Sequence, residues 1–140
     1  MMSEISRREA LQTIGIVCCG ALMPAIVTGC ASTKQVTHRE DANVVTLILE
    51  EFEANTIVVR SKKYSYPISV SRSEEGKFIA VLMQCTHKGC ELRSEGKYLV
   101  CPCHGSEFDS NGKVLNPPAD RPLRTFPVRT DENNIYVDIS

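Results

Sequence analysis

Cys85-Thr86-His87-Lys88-Gly89-Cys90 and Cys101-Pro102-Cys103-His104-Gly105-Ser106, with thirteen residues between His87 and Cys101, decide how this 140-residue chain is read. Each stretch pairs a cysteine with a histidine two or three residues further on. Together they offer two thiolates and two imidazoles, a complete four-ligand set for metal. Those ligand types serve zinc, copper and iron-sulfur centres alike, so the set leaves the metal open. Cys90 and Cys103, one in each stretch, would have no role beside a mononuclear Cys2His2 zinc ion. Gly89 and Gly105 fall where a loop must wrap closely around something bulky.

The residues CTHKGC followed by CPCHGSEFD resemble the two cluster-binding loops of Rieske [2Fe-2S] proteins. Carried over position by position, the resemblance implies that Cys85 and Cys101 ligate one iron and His87 and His104 the other, the histidine iron lying nearer the surface. It also pairs Cys90 with Cys103 in a disulfide, a feature of the quinol-oxidising members that dioxygenase-type ferredoxins lack. Replacing two anionic thiolates by neutral imidazoles favours the reduced state and raises the potential to roughly −150 to +300 mV. Ser106 stands where high-potential members place a hydroxyl that donates to a bridging sulfide. Phe108 departs from them: they carry tyrosine there, whose hydroxyl donates to a ligand cysteine, so one hydrogen bond fewer tunes this cluster.

Outward from the loops the pattern is one of short strands. Residues 44–49, 56–60, 66–70 and 78–83 are rich in β-branched and aromatic types, and the last run leads straight into Cys85. Residues 97–100 deliver Cys101 after a Ser94-Glu95-Gly96 turn. Asp109-Ser110-Asn111-Gly112 is a further turn with Gly112 expected at positive φ. Asn116-Pro117-Pro118-Ala119 resembles the proline-rich segment that covers the cluster in Rieske domains, a stiff stretch suited to excluding water. Residues 123–129 and 135–139 close the chain as two strands. No convincing helix and no internal repeat is visible. The fold class is therefore all-β, and the resemblance, over 44–140, implies an antiparallel β-sandwich with a cluster-binding subdomain at one tip.

The first thirty residues read as an export signal rather than as part of the fold. Ser6-Arg7-Arg8-Glu9-Ala10-Leu11 resembles a twin-arginine motif, the address of a pathway that exports folded proteins with their cofactors. No residue from Ala10 to Ala31 is charged. Val27-Thr28-Gly29-Cys30 resembles a lipobox, which makes 1–29 the leader and Cys30 a lipidated first residue of the mature chain. The competing reading keeps 10–29 as a membrane-spanning helix. Residues 30–43 are polar and aperiodic, a flexible linker, and His38 within it is a solvated side chain. The seven cysteines are then all employed: Cys18 and Cys19 leave with the signal, Cys30 takes lipid, two ligate iron and two pair. That balance fits an exported protein in an oxidising compartment.

A formal net charge of −1 gives no sign of nucleic-acid binding. The resemblance implies proton-coupled one-electron transfer, with a histidine docking quinol and the tethered head carrying the electron from a b-type cytochrome complex to a c-type cytochrome or another periplasmic acceptor. Whether the chain is itself an enzyme or an electron-transfer subunit stays open. The interloop segment is a few residues shorter than in subunits of bc complexes. Together with the twin-arginine signal, this supports an alternative, the small subunit of an exported oxidoreductase resembling the Rieske partner of arsenite oxidase. A structural zinc module is the third class.

Overall fold

The computed structural model describes residues 36–52 and 55–140. The twin-arginine stretch, the lipobox and Cys30 lie outside the described residues. Within the described residues, twelve strands form three antiparallel four-stranded sheets. The first contains β1 (His38–Asp41), β2 (Val44–Ile48), β12 (Asn134–Asp138) and β11 (Val128–Thr130), in the order β1-β2-β12-β11. The second contains β10 (Thr125–Phe126), β5 (Phe78–Leu82), β4 (Ile68–Arg72) and β3 (Thr56–Val59), in the order β10-β5-β4-β3. The third contains β6 (Arg93–Glu95), β7 (Tyr98–Val100), β8 (Glu107–Asp109) and β9 (Val114–Asn116), in sequence order. One 3-10 turn, Leu49–Glu51, is the only helical element among the described residues. The all-β reading holds.

Strand alternation builds two cores from one chain. Val45 and Leu47 of β2, Ile135 and Val137 of β12, and Ile68 and Val70 of β4 point between the first two sheets. Strand β5 serves both sides. Ala80 and Leu82 enter this sandwich core, whereas Val81, followed by Met83, enters a second core with Leu92, Leu99, Phe108, Ala119, Leu123 and the buried Cys85 and Cys101. A strand covered on both faces reads as an unbroken apolar run, which is what residues 78–83 are. Burying both faces at the strand that launches the first loop fixes the direction from which Cys85 emerges.

Three boundaries differ from the sequence reading. Residues 38–41, read as linker, form β1 and pair with β2 from His38↔Leu47 to Asp41↔Val44. Their composition, His-Arg-Glu-Asp, is that of a solvated edge strand, which carries no apolar alternation. The run 123–129 is not one strand but two. Pro127, which lacks an N–H, separates β10 in the second sheet from β11 in the first, and its carbonyl accepts from Asp138 N–H at 2.9 Å. Strands β6, β8 and β9 were not visible, each being three residues long. Gly112 has φ +82°, as expected. A Cβ there would come within 3.0 Å of Leu123 Cβ and 3.3 Å of Val81 Cγ1, so close packing reinforces the conformational demand.

Candidate metal centre

The two loops turn out to be one structure used twice. In the first, an isolated bridge pairs Gln84 with Glu91; in the second, Val100 pairs with Glu107. Between those pairs each chain makes a six-residue loop. Gly89 N–H donates to the Cys85 carbonyl at 2.8 Å, and Gly105 N–H to the Cys101 carbonyl at 3.0 Å. Cys85 N–H donates to the Cys90 carbonyl at 2.9 Å, and Cys101 N–H to the Ser106 carbonyl at 2.8 Å. Both glycines have φ +76°, the left-handed conformation that closes such turns. The likeness reaches outward: Met83 and Leu92 flank the first loop as Leu99 and Phe108 flank the second, all four buried. The sequence reading found no repeat because only Cys, Gly and Glu coincide across the ten positions 83–92 and 99–108.

Closing the loops this way turns their first residues inward. Cys85 is 2% exposed and Cys101 1%, and both are free thiols. His87 is half-buried and His104 exposed, and their rings meet edge to face with centroids 4.9 Å apart. Nδ1 of His87 is buried without any hydrogen-bond partner among the described residues, the only such side-chain atom there. A buried imidazole nitrogen with no protein partner to satisfy it, in a loop that also carries a buried free thiol, has the chemistry of an atom reserved for a metal. The residues fit the proposed group.

Cys90 and Cys103 form a disulfide that joins the loops. The Cys101 sulfur lies within 4.8 Å of both bridged sulfurs, so three cysteines crowd one spot. Two of them have no thiolate to give, which leaves Cys101 as the only one of the three able to ligate a metal.

The proline-rich segment is a strap over both loops. Asn116 Nδ2 donates to the Gly105 carbonyl at 3.3 Å, and Ala119 N–H to Ser106 Oγ at 3.0 Å. On the other side, Thr86 Oγ1 donates to the Arg121 carbonyl at 2.6 Å, and the Arg121 guanidinium to the Thr86 carbonyl at 3.4 Å. Ser106 is fully buried, and its oxygen is an acceptor in the bond from Ala119, which leaves the hydroxyl proton for another acceptor. Asn116 and Ala119 lie in the segment expected to cover the cluster, whereas Arg121 was not singled out in the sequence and Thr86 was given no role. The bonds from Thr86 to Arg121 span 35 residues and have no local signature.

A sequence profile described as the Rieske [2Fe-2S] domain matches residues 32–127. Over 55 residues the chain is 42% identical to a cytochrome b6-f complex iron-sulfur subunit of Prochlorococcus marinus, covering 38% of this chain and 31% of the relative. Over 67 residues it is 33% identical to the subunit of the same name from Chlorobaculum tepidum, covering 46% of this chain and 37% of the relative. The matches thus span about a third of the length of these curated relatives. Among solved structures, the cyanobacterial plasma membrane Rieske protein of Synechocystis PCC 6803 superposes with a TM-score of 0.53 at 37% identity, covering 60% of this chain and 86% of that one. Loops, disulfide, fold and relatives agree: the chain belongs to the Rieske [2Fe-2S] family, and a [2Fe-2S] cluster is the cofactor its paired loops are built to hold.

Proposed function

We propose that this chain is the iron-sulfur subunit of a membrane quinol-oxidising complex containing a b-type cytochrome, with Cys85 and Cys101 on one iron and His87 and His104 on the other. Electron transfer through a Rieske cluster is the coarser activity its family membership carries. The observation that carries the ligand assignment is the unpartnered, buried His87 Nδ1, whose ring meets that of His104, in loops that each begin with a buried free thiol. The Cys90–Cys103 disulfide and the relatives named cytochrome b6-f subunits support the quinol-oxidising setting.

When bound, the cluster supplies reversible one-electron chemistry. The chain supplies the rest. Its two closed loops hold the thiols inward and away from water. Ser106, oriented by Ala119 N–H, keeps a hydroxyl proton to donate toward a cluster sulfide. His104, exposed on the second loop, offers its outer ring nitrogen to a quinol hydroxyl, and a proton leaves by that route. The electron then passes to a c-type cytochrome or another periplasmic acceptor. In this reading the head works at the exocytoplasmic face of the cell membrane, tethered by lipid on Cys30 or by a retained N-terminal helix. Among the described residues no helix is long and apolar enough to cross a membrane.

The thirteen-residue spacing between His87 and Cys101 favours a second reading, the small electron-transfer subunit of an exported oxidoreductase. Electron paramagnetic resonance on the dithionite-reduced protein, titrated across pH, tests the proposal. A rhombic signal whose midpoint potential falls by roughly 59 mV per pH unit above neutrality is expected for coupled uptake of one proton and one electron. Zinc without iron or acid-labile sulfide after reconstitution would sink the ligand assignment. A pH-independent potential would leave the cluster in place and point to the second reading.

A further inference from the structure

Beside His87 lies a cleft of about 450 Å³ whose charged lining is of one sign. Lys88, Arg121 and Arg124 line it, with Thr86 and Gln84 between them, and no carboxylate does. Lys88 has no acidic partner among the described residues. Arg121 has one, Asp120, at 3.6 Å, with both side chains largely in solvent, where such a pair is weak and screened. Arg124 is spread over the rings of Tyr64 and Phe126, 5.1 and 5.2 Å from their centroids, and donates to the Ser140 main-chain oxygen at 3.3 Å, contacts that hold its guanidinium in place. The whole chain carries a formal charge of −1, so this local excess of cations is set against an acidic remainder. Such a distribution gives the molecule a positive face, and the face adjoins the His87 imidazole.

We propose that this cationic cleft is the docking surface for an acidic face of a redox-partner protein, so that partner carboxylates seat against Lys88, Arg121 and Arg124 and bring the partner's cofactor up to His87. The proposal rests on the electron-transfer reading above. Charge complementarity of this kind steers encounter and fixes orientation more than it adds affinity, and salt weakens it. One electron crosses per encounter and no bond is made.

The test uses one partner with two charges: cytochrome c with its native lysines, and the same cytochrome with those lysines succinylated, mixed with the holoprotein in a stopped-flow instrument. Electron exchange is read in whichever direction the potentials favour. At low ionic strength the succinylated, acidic form should exchange roughly ten-fold faster than the native form, and the ratio should fall toward one as salt is raised. Lys88→Glu should cut that ratio about three-fold, and Lys88→Glu with Arg121→Glu should reverse it. Lys77→Glu, just before β5 and at the end away from Cys85, should leave it unchanged. The paramagnetic signal of each variant shows that its centre is intact, and Lys88→Glu alone suffices if the double variant loses it. A ratio near one in the wild type, preference for the native form, or exchange with neither cytochrome overturns the proposal. Oxidation by ferricyanide separates the two failures: a protein that ferricyanide oxidises normally still transfers electrons, and only the docking surface is lost.

Discussion

The two ligand loops share a backbone and differ in how they meet solvent, and the difference divides their labour. Each is closed by a glycine at φ +76° and by the same two main-chain hydrogen bonds, so each turns its first cysteine into the core. The histidines are not equivalent. His87 occupies the third position of its loop and is half-buried, with Nδ1 enclosed; His104 occupies the fourth and is exposed. The third position of the second loop is Cys103 and the sixth of the first is Cys90, and these two form the bridge. One repeated conformation thus provides two inward thiols, one sheltered imidazole, one accessible imidazole and a covalent clamp, according to which residue stands at which position. The lesson is that the conformation sets where the first cysteines point, and the offset of the histidine by one residue sets which imidazole is exposed.

If the loops are two halves of one site, losing either thiol must cost everything. Cys85→Ser and Cys101→Ser should each abolish iron binding and the visible absorption of the reconstituted protein, to the same degree. Iron retained by one variant and not by the other would break the symmetry at its root. The disulfide comes next in size. Removing a cross-link over 13 residues should cost about 3 kcal/mol of stability in the Cys90→Ser/Cys103→Ser variant, read as a lower urea midpoint. A loss below about 1 kcal/mol would mean that the strap through Asn116, Ala119 and Arg121 already ties the loops without it.

The glycines sharpen the comparison because their surroundings differ. A Cβ on Gly89 would lie 3.5 Å from Gln84 Nε2 and 3.8 Å from the Tyr66 hydroxyl, ordinary contacts, while one on Gly105 would meet nothing within 4 Å. Gly89→Ala and Gly105→Ala should therefore each destabilise by about 1–2 kcal/mol, the cost of a left-handed alanine, and by nearly equal amounts in urea unfolding. A much larger loss at Gly89 would show that crowding, and not backbone conformation alone, holds the first loop.

Legibility followed the range of the interaction. The ligand loops, the run 78–83 and Gly112 could be read because each is decided within a few residues, by spacing, by two-sided burial or by turn chemistry. The pairing of Cys90 with Cys103 came from family resemblance and is seen in the structure. Strand β1 was invisible because His-Arg-Glu-Asp takes its order from its partner β2 and not from its own apolar pattern. The switch of sheets at Pro127 and the bonds of the strap to Thr86 and Ser106 depend on residues far apart in the chain, and no window of sequence contains them.

The smallest expected effect concerns the residue just past the second loop. Phe108 corresponds to Leu92 past the first; both are buried in the core that holds Cys85 and Cys101, and Phe108 pairs with Leu99 across the sheet. On both sides, then, this position supplies only packing, and neither loop receives a side-chain hydroxyl from it. Phe108→Tyr would break that equivalence by adding a donor to the core that holds both thiols. A hydrogen bond there stabilises the more negatively charged, reduced state, and a net contribution of about 1 kcal/mol corresponds to a rise of roughly 40 mV in a one-electron potential. The same substitution at the first loop, Leu92→Tyr, must force a larger side chain into a filled site and should lower stability as well. A potential unchanged in Phe108→Tyr, with the signal intact, would mean that the hydroxyl points away from the cluster, and that the second loop is tuned through Ser106 and the main chain alone.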